Sequence, residues 1–148
     1  MTARLLPGTD VRVRRGRRGD LEALGRVLGV PASGRMVRAY RRIVADLGND
    51  VYVAEDARGE LVGVVSVVYR RSLVQGGLAA VLDGVRTRPD ATGVLDGLVA
   101  FAEERARRRG CRRLTACLAP DDGAVRATLV ARGYRVGEAF GTDLGGAA

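Results

Sequence analysis

The sequence predicts an α/β (α+β) fold in which a mixed, mostly antiparallel central sheet of about six or seven strands carries four helices. Three observations predict it. Apolar runs at residues 51–54, 61–69 and 78–86 are separated only by short turn signals, Asp56-Ala57-Arg58-Gly59 and Gly76-Gly77, as a β-meander requires. Apolar residues at Met36, Val37, Tyr40, Ile43, Val44 and Leu47, and again at Leu95, Leu98, Val99, Ala102 and Ala106, follow the i, i+3, i+4 spacing of one helical face. Finally, 148 residues, 47% of them hydrophobic, suit one domain over 1–148 with a core of about 11–144. Such a chain buries roughly 68–70% of its unfolded surface and folds without staples.

In order, residues 1–10 show no period and read as a loose lead-in. Val11-Arg12-Val13-Arg14 alternates apolar with charged, a half-buried strand. Asp20 is placed to cap a helix bearing Leu21, Leu24, Val27 and Leu28, which ends near Gly29 and Pro31. Ser33 caps the second helix, and Gly48 ends it. Its other face carries Arg35, Arg38, Arg41 and Arg42, either a solvated face or the border of a cleft for an acidic substrate. The meander follows, and its second strand is apolar enough for burial on both faces.

Thr87-Arg88-Pro89-Asp90-Ala91-Thr92-Gly93 then breaks both periods before the long helix, which Gly110 closes as a C′ residue. A loop opening onto a helix N-terminus aims unpaired N–H groups and the positive end of the helix dipole at one point, where an anion binds well. Leu114-Thr115-Ala116-Cys117-Leu118 is a strand, and residues 124–132 are a short helix closed by Gly133. Residues 134–136 and 139–143 make a last hairpin around Gly137. No segment repeats.

Composition narrows the chemistry. With no His and only Cys111 and Cys117, no zinc site and no Ser-His-Asp or Cys-His set can form, and no metal is expected. Proton transfer falls to a carboxylate, a tyrosine, a cysteine, a terminus or water. The net charge is +8, yet all 25 basic residues are arginine and aromatics are only Phe101, Phe140 and four tyrosines. That is a compositional bias with few stacking platforms, and no nucleic-acid partner is expected. No run approaches about 18 consecutive apolar residues and no leader pattern opens the chain, so no membrane association and a cytoplasmic location are expected.

The element order β-α-α-β-β-β-α-β-α-β-β, with Val81-Leu82-Asp83-Gly84-Val85, the passage at 102–114 and Ala131-Arg132-Gly133-Tyr134, resembles the GNAT superfamily of acyl-CoA-dependent N-acetyltransferases. The resemblance covers nearly the whole chain. It implies acetyl-CoA (CoA) as cofactor, its pantetheine arm in a wedge where the fourth strand splays from the fifth, and its pyrophosphate held by amides of the following loop. The cofactor-binding residues it implies are Val85, Arg86, Arg88, Thr92, Gly93 and Val94.

The family's loop pattern, Arg or Gln, two residues, Gly, one residue, Gly or Ala, falls on Asp90, Gly93 and Leu95. Only Gly93 keeps its type, so the loop is degenerate, and Arg86 and Arg88 are the nearby cations. The family's usual tyrosine acid corresponds to Leu129, and the Asn often preceding it to Asp122. Tyr134 and Tyr40 are the substitutes at hand.

Asp83 occupies the place of the family's base. A carboxylate in an apolar strand is costly to bury without a task, and the other reading has it facing solvent or pairing with an arginine. Cys117, across the wedge, either meets the thioester or fills core space. The implied function is direct acetyl transfer to a small-molecule or peptide amine, with homodimerisation through the final strands compatible. The alternative is a non-catalytic binding or regulatory module of the same shape.

Overall fold

Successive side chains of a strand point to opposite faces, and the alternation in the meander sets the layers. The computed structural model describes residues 2–31, 33–91, 93–119 and 121–145. Six strands lie in chain order in one sheet: β1 (Arg4–Leu5), β2 (Arg12–Arg15), β3 (Asn49–Glu55), β4 (Leu61–Ser72), β5 (Gly77–Thr87) and β6 (Leu114–Ala116). Every neighbouring pair is antiparallel except β5 and β6. The helices are α1 (Leu21–Leu28), α2 (Gly34–Ala45), α3 (Val94–Arg108) and α4 (Gly123–Ala131).

On one face Val51, Val53 and Leu61 pack with Leu24 and Val27 of α1 and Tyr40 of α2. On the other, Tyr52, Ala54, Val65 and Val67 pack with Leu98, Val99, Phe101 and Ala102 of α3 and Val125 and Leu129 of α4. Burying each large aliphatic side chain contributes about 1.5–3 kcal/mol. The approach of α3 to β4 is close. A Cβ on Gly63 would lie 2.9 Å from Leu98 Cδ1 and 3.2 Å from Val94 Cγ1. α3 ends as expected: Gly110 has φ +84°, and the N–H groups of Gly110 and Cys111 reach the carbonyls of Arg107 (2.9 Å) and Ala106 (3.0 Å).

The one fully buried charged residue among those described, Asp50, pins β2, β3 and α3 together. Its Oδ1 accepts from Arg15 Nη1 at 3.0 Å and from Arg109 Nη2 at 3.3 Å. The same guanidiniums lie over aromatic faces, Arg109 4.2 Å from the Tyr69 ring centre and Arg15 5.3 Å from that of Tyr52.

Four expectations change. The lead-in is not loose: Arg4 and Leu5 pair with Val13 and Arg12, and Leu6 is buried against Gly97 of α3. Asp20 does not cap α1. Its carboxylate accepts from Nη1 and Nη2 of Arg14, both at 2.8 Å, and from the Arg17 N–H at 2.7 Å. Burial pushes its pKa up, and these partners outweigh that and hold it below the usual carboxylate range. Leu47 falls past the end of α2 and is exposed, whereas Ser33 does cap that helix, accepting the Met36 N–H at 3.2 Å. The last hairpin does not form, and residues 135–145 have neither helix nor strand structure.

Two predictions follow from the buried polar groups. Asp50→Asn should destabilise the fold by about 2–3 kcal/mol in urea unfolding. That is less than the 3–5 typical of a broken buried pair, because Arg15 stays half in water.

Burial raises the pKa of all four tyrosines, Tyr40 to about 12. With folded values above the unfolded value of 10.0, the fold favours the neutral phenol. This stability is present in full below pH 10 and is lost as pH rises toward about 12. Phenolate absorbance should therefore appear together with loss of circular dichroism. Phenolate forming near pH 10 in a folded protein would contradict it.

Candidate active site

The site starts from an extra residue. In the β4–β5 ladder Ser66 pairs Gly84 while Val67 pairs Leu82, so Asp83 is the additional residue of a β-bulge. Bulges bend and twist the strand that carries them. On the other side of β5, the parallel ladder to β6 covers only Ala80, Val81 and Leu82. Its last bond, Cys117 N–H to Leu82 C=O, is long at 3.4 Å. Past it, β5 keeps β4 as its only neighbour among the described residues. Alternate backbone groups over 83–87 therefore have no strand partner on the β6 side among the described residues, and this unpaired side of β5, next to residues 117–119 in sequence register, forms a gap.

The loop after β5 is tied back to β4. Arg88 N–H donates to Val62 C=O at 2.9 Å and Ala91 N–H to Arg88 C=O at 3.0 Å. Gly93, the N-cap of α3, has φ +77°, a conformation that disfavours any side chain. Its carbonyl accepts the Gly97 N–H at 3.2 Å. No side chain caps the helix, so the N–H groups of its first turn stay available at the positive end of the dipole. Val94 is buried, and Leu95 packs half-buried against the main core. A cavity of about 740 Å³ reaches Val94 and is walled by Thr9, Asp10, Arg58, Arg88 and Asp90, and no residue of 83–87 or 117–119 lines it, so it is separate from the unpaired stretch of β5.

The structure places the sequence-predicted residues as follows. Gly93, Val94 and Arg88 meet at the loop; Thr92 lies outside the described residues. Val85 is buried opposite Val65, and Arg86 is exposed opposite Val64 with no carboxylate within 4 Å among the described residues. Arg88 is engaged, 3.4 Å from both Glu60 and Asp90, so the charge at Asp90 is met within the loop. Asp83 is exposed at the root of the gap, which removes the burial argument for a task and leaves its position.

No side-chain acid stands on α4. Leu129 is buried in the core. Tyr134 OH donates to Glu103 Oε2 at 3.1 Å, and burial together with the Glu103 charge pushes its pKa well up. Tyr40 OH donates to Arg17 C=O at 2.7 Å. Cys117 is exposed at the mouth of the gap. Among the described residues no His, Cys, Asp and Glu cluster could hold a metal ion.

Sequence reasoning missed Arg132. It donates to Glu103 at 2.5 Å and to Asp96 at 3.0 Å, locking α4 onto α3 and pairing the only carboxylate in the first turn of α3. An unpaired Asp96 would oppose an anion there. Its partner lies 36 residues away, so no local pattern signals it.

The profile of the acetyltransferase (GNAT) family matches residues 23–134. No curated protein matches in sequence. Among solved structures, a transcriptional regulator from Bacillus halodurans C-125 is 29% identical with TM-score 0.78, over 90% of this chain and 99% of that one. An aminoglycoside 6'-N-acetyltransferase from Acinetobacter baumannii is 17% identical, TM-score 0.76, over 91% and 99%. A ribosomal-protein-alanine N-acetyltransferase from Brucella melitensis biovar Abortus 2308 is 16% identical, TM-score 0.74, over 90% and 97%. The latter two share the fold. Since the family profile runs from within α1 to just past α4, through β5, the loop after it and β6, the chain belongs to the GNAT family of acetyltransferases.

Proposed function

We propose that this protein is an N-acetyltransferase that moves an acetyl group from acetyl-CoA to an amine of a small molecule or peptide within a ternary complex. The observation that carries the reading is a stretch of β5 without a partner on its β6 side, followed along the chain by an uncapped helix N-terminus. The donor set fits the cofactor. Pyrophosphate needs converging N–H groups, which the first turn of α3 offers, and the amides of pantetheine need the free backbone of an extended strand, which 83–87 offers.

Acetyl-CoA, when bound, supplies an acetyl group activated as a thioester. Main-chain groups of Val85, Arg86, Gly93 and Val94 orient it, with Thr92 part of the same loop. Arg88 screens Asp90 from the phosphates. Asp83 takes the proton of the acceptor amine, directly or through one water. With Leu129 in place of an acid, water is the proton source for the leaving group, at a cost of about 10² to 10⁴ in rate.

The same reading takes 1–148 as a single domain that acts in the cytoplasm, without nucleic acid or membrane, and is compatible with a homodimer. Its unpaired cysteines suit a reducing compartment.

A second reading is a binding or regulatory module that no longer uses the cofactor. Asp90, Leu95 and Leu129 favour it, as does the 29% identity to a structure named a transcriptional regulator.

Titration calorimetry with CoA and a thiol-release assay over a panel of amines separate the two. Binding and release support the enzyme, and no heat at millimolar CoA supports the module. Asp83→Asn should lower kcat/KM by about 10² to 10⁴ while leaving the Kd for CoA unchanged. Asp90→Asn should tighten CoA about threefold to tenfold, since it removes an exposed charge beside the phosphates and frees Arg88. An unchanged Kd would place the phosphates away from the loop.

A further inference from the structure

The two faces of the β4–β5 pair are covered differently. Val65, Val67, Leu82 and Val85 are buried in the core with α3. On the opposite face α1 and α2 pack over Val53 and Leu61 and reach Val64. There the cover stops: Ser66, Val68 and Val81, on the same face, are half-buried and join neither core cluster. Gly84, paired with Ser66, is exposed, and a Cβ built on it would meet nothing within 4 Å beyond its chain neighbours. An open trough therefore lies over the middle of β5, with the cross-strand pair Val68 and Val81 as its apolar floor.

Two opposite charges stand at this trough. Asp83, the bulge residue beside Gly84, is exposed. Arg86 is paired with Val64, and directly paired residues share a face, so its side chain projects from the face opposite α3. Neither has an ion-pair partner within 4 Å among the described residues, and they do not pair with each other. Strand rise puts Gly84 and Arg86 about 7 Å apart, room for a small ligand that carries both charges in reverse order.

We propose that the acceptor is an α-amino acid, held with its ammonium at Asp83 and its carboxylate on the Arg86 guanidinium. The planar fork of an arginine matches a carboxylate with two parallel hydrogen bonds. Arg70 lies four residues from Ser66, about 13 Å along β4, too far to share that carboxylate. The inference rests on the acetyl transfer proposed above and names its substrate class. The amine nitrogen bonds to the acetyl carbon as the thioester C–S bond breaks. Of the two protons the ammonium loses, one balances the thiol and one is released, the first leaving through Asp83. The Arg86 main chain stays with the cofactor, and its side chain sets acceptor specificity.

Leucine, methionine and glutamate, each compared with its own amide, test the carboxylate. Calorimetry on the full chain saturated with CoA should show at least one free acid binding at least tenfold more tightly than its amide. Thiol release from acetyl-CoA should show the same preference in kcat/KM, with the N-acetyl amino acid identified by mass spectrometry. Arg86→Gln should bring the acid down to the level of the amide. Gly84→Val, whose Cβ has open space, should keep its circular dichroism and raise the KM for the acid at least fivefold. Thiol release that treats acids and amides alike overturns the proposal and leaves the transferase standing. An Arg86→Gln variant that weakens CoA tenfold while keeping the preference makes the side chain a cofactor residue and also overturns it. Absence of thiol release with every amine removes both.

Discussion

Asp83 is one residue too many, and much of the site depends on it. A regular β5 could pair with β4 and β6 along its whole length and leave no opening. The extra residue at the bulge bends β5, so the parallel ladder to β6 stops at Leu82 and its final bond stretches to 3.4 Å. Backbone groups that a sheet would normally consume are left facing a gap. The carboxylate that stands at the bend is the same residue that marks where pairing ends, so the opening and the candidate base arise from one local irregularity.

Two ionic clusters hold the frame around that opening. At one end of the sheet, buried Asp50 joins Arg15 and Arg109 and so ties β2 and β3 to the C-terminal end of α3. Alongside α3, Arg132 joins Glu103 and Asp96 and fixes α4 against it. The first cluster serves stability. The second also shapes the electrostatics of the site, because Arg132 offsets Asp96 at the start of the helix whose dipole faces the loop. In the same way Arg88 offsets Asp90. The loop lacks the family's side-chain pattern, yet Asp90 meets Arg88 and no side chain caps the first turn of α3.

Much of the fold was legible in the sequence. The meander, the two amphipathic helices, the Ser33 cap, the C′ glycines Gly110 and Gly133 and the order of elements from β2 to α4 all follow from short-range periodicity and turn chemistry, which act over a few residues. The site was legible in part. Gly93 was identified from its place in the loop, and its φ of +77° gives the physical reason. Asp83 was singled out from the family's base position and from the cost of burying it in an apolar strand, and the structure makes it exposed, which was the alternative reading. Tyr134 and Tyr40 were candidates for an acid, and their hydroxyls are bound to Glu103 and to the Arg17 carbonyl.

What the sequence determined by itself is therefore local: which stretches of the meander and of the amphipathic helices form, that no histidine is present, and that a polar loop meets a helix N-terminus. Only the tertiary structure decided which carboxylate meets which arginine, where β5 leaves β6, and that Leu6 rather than the final segment completes the core. The reason is range. Helix and turn preferences are read within three or four residues, whereas ion pairs such as Arg132 with Asp96, and the register that makes Asp83 a bulge, exist only once distant segments have packed.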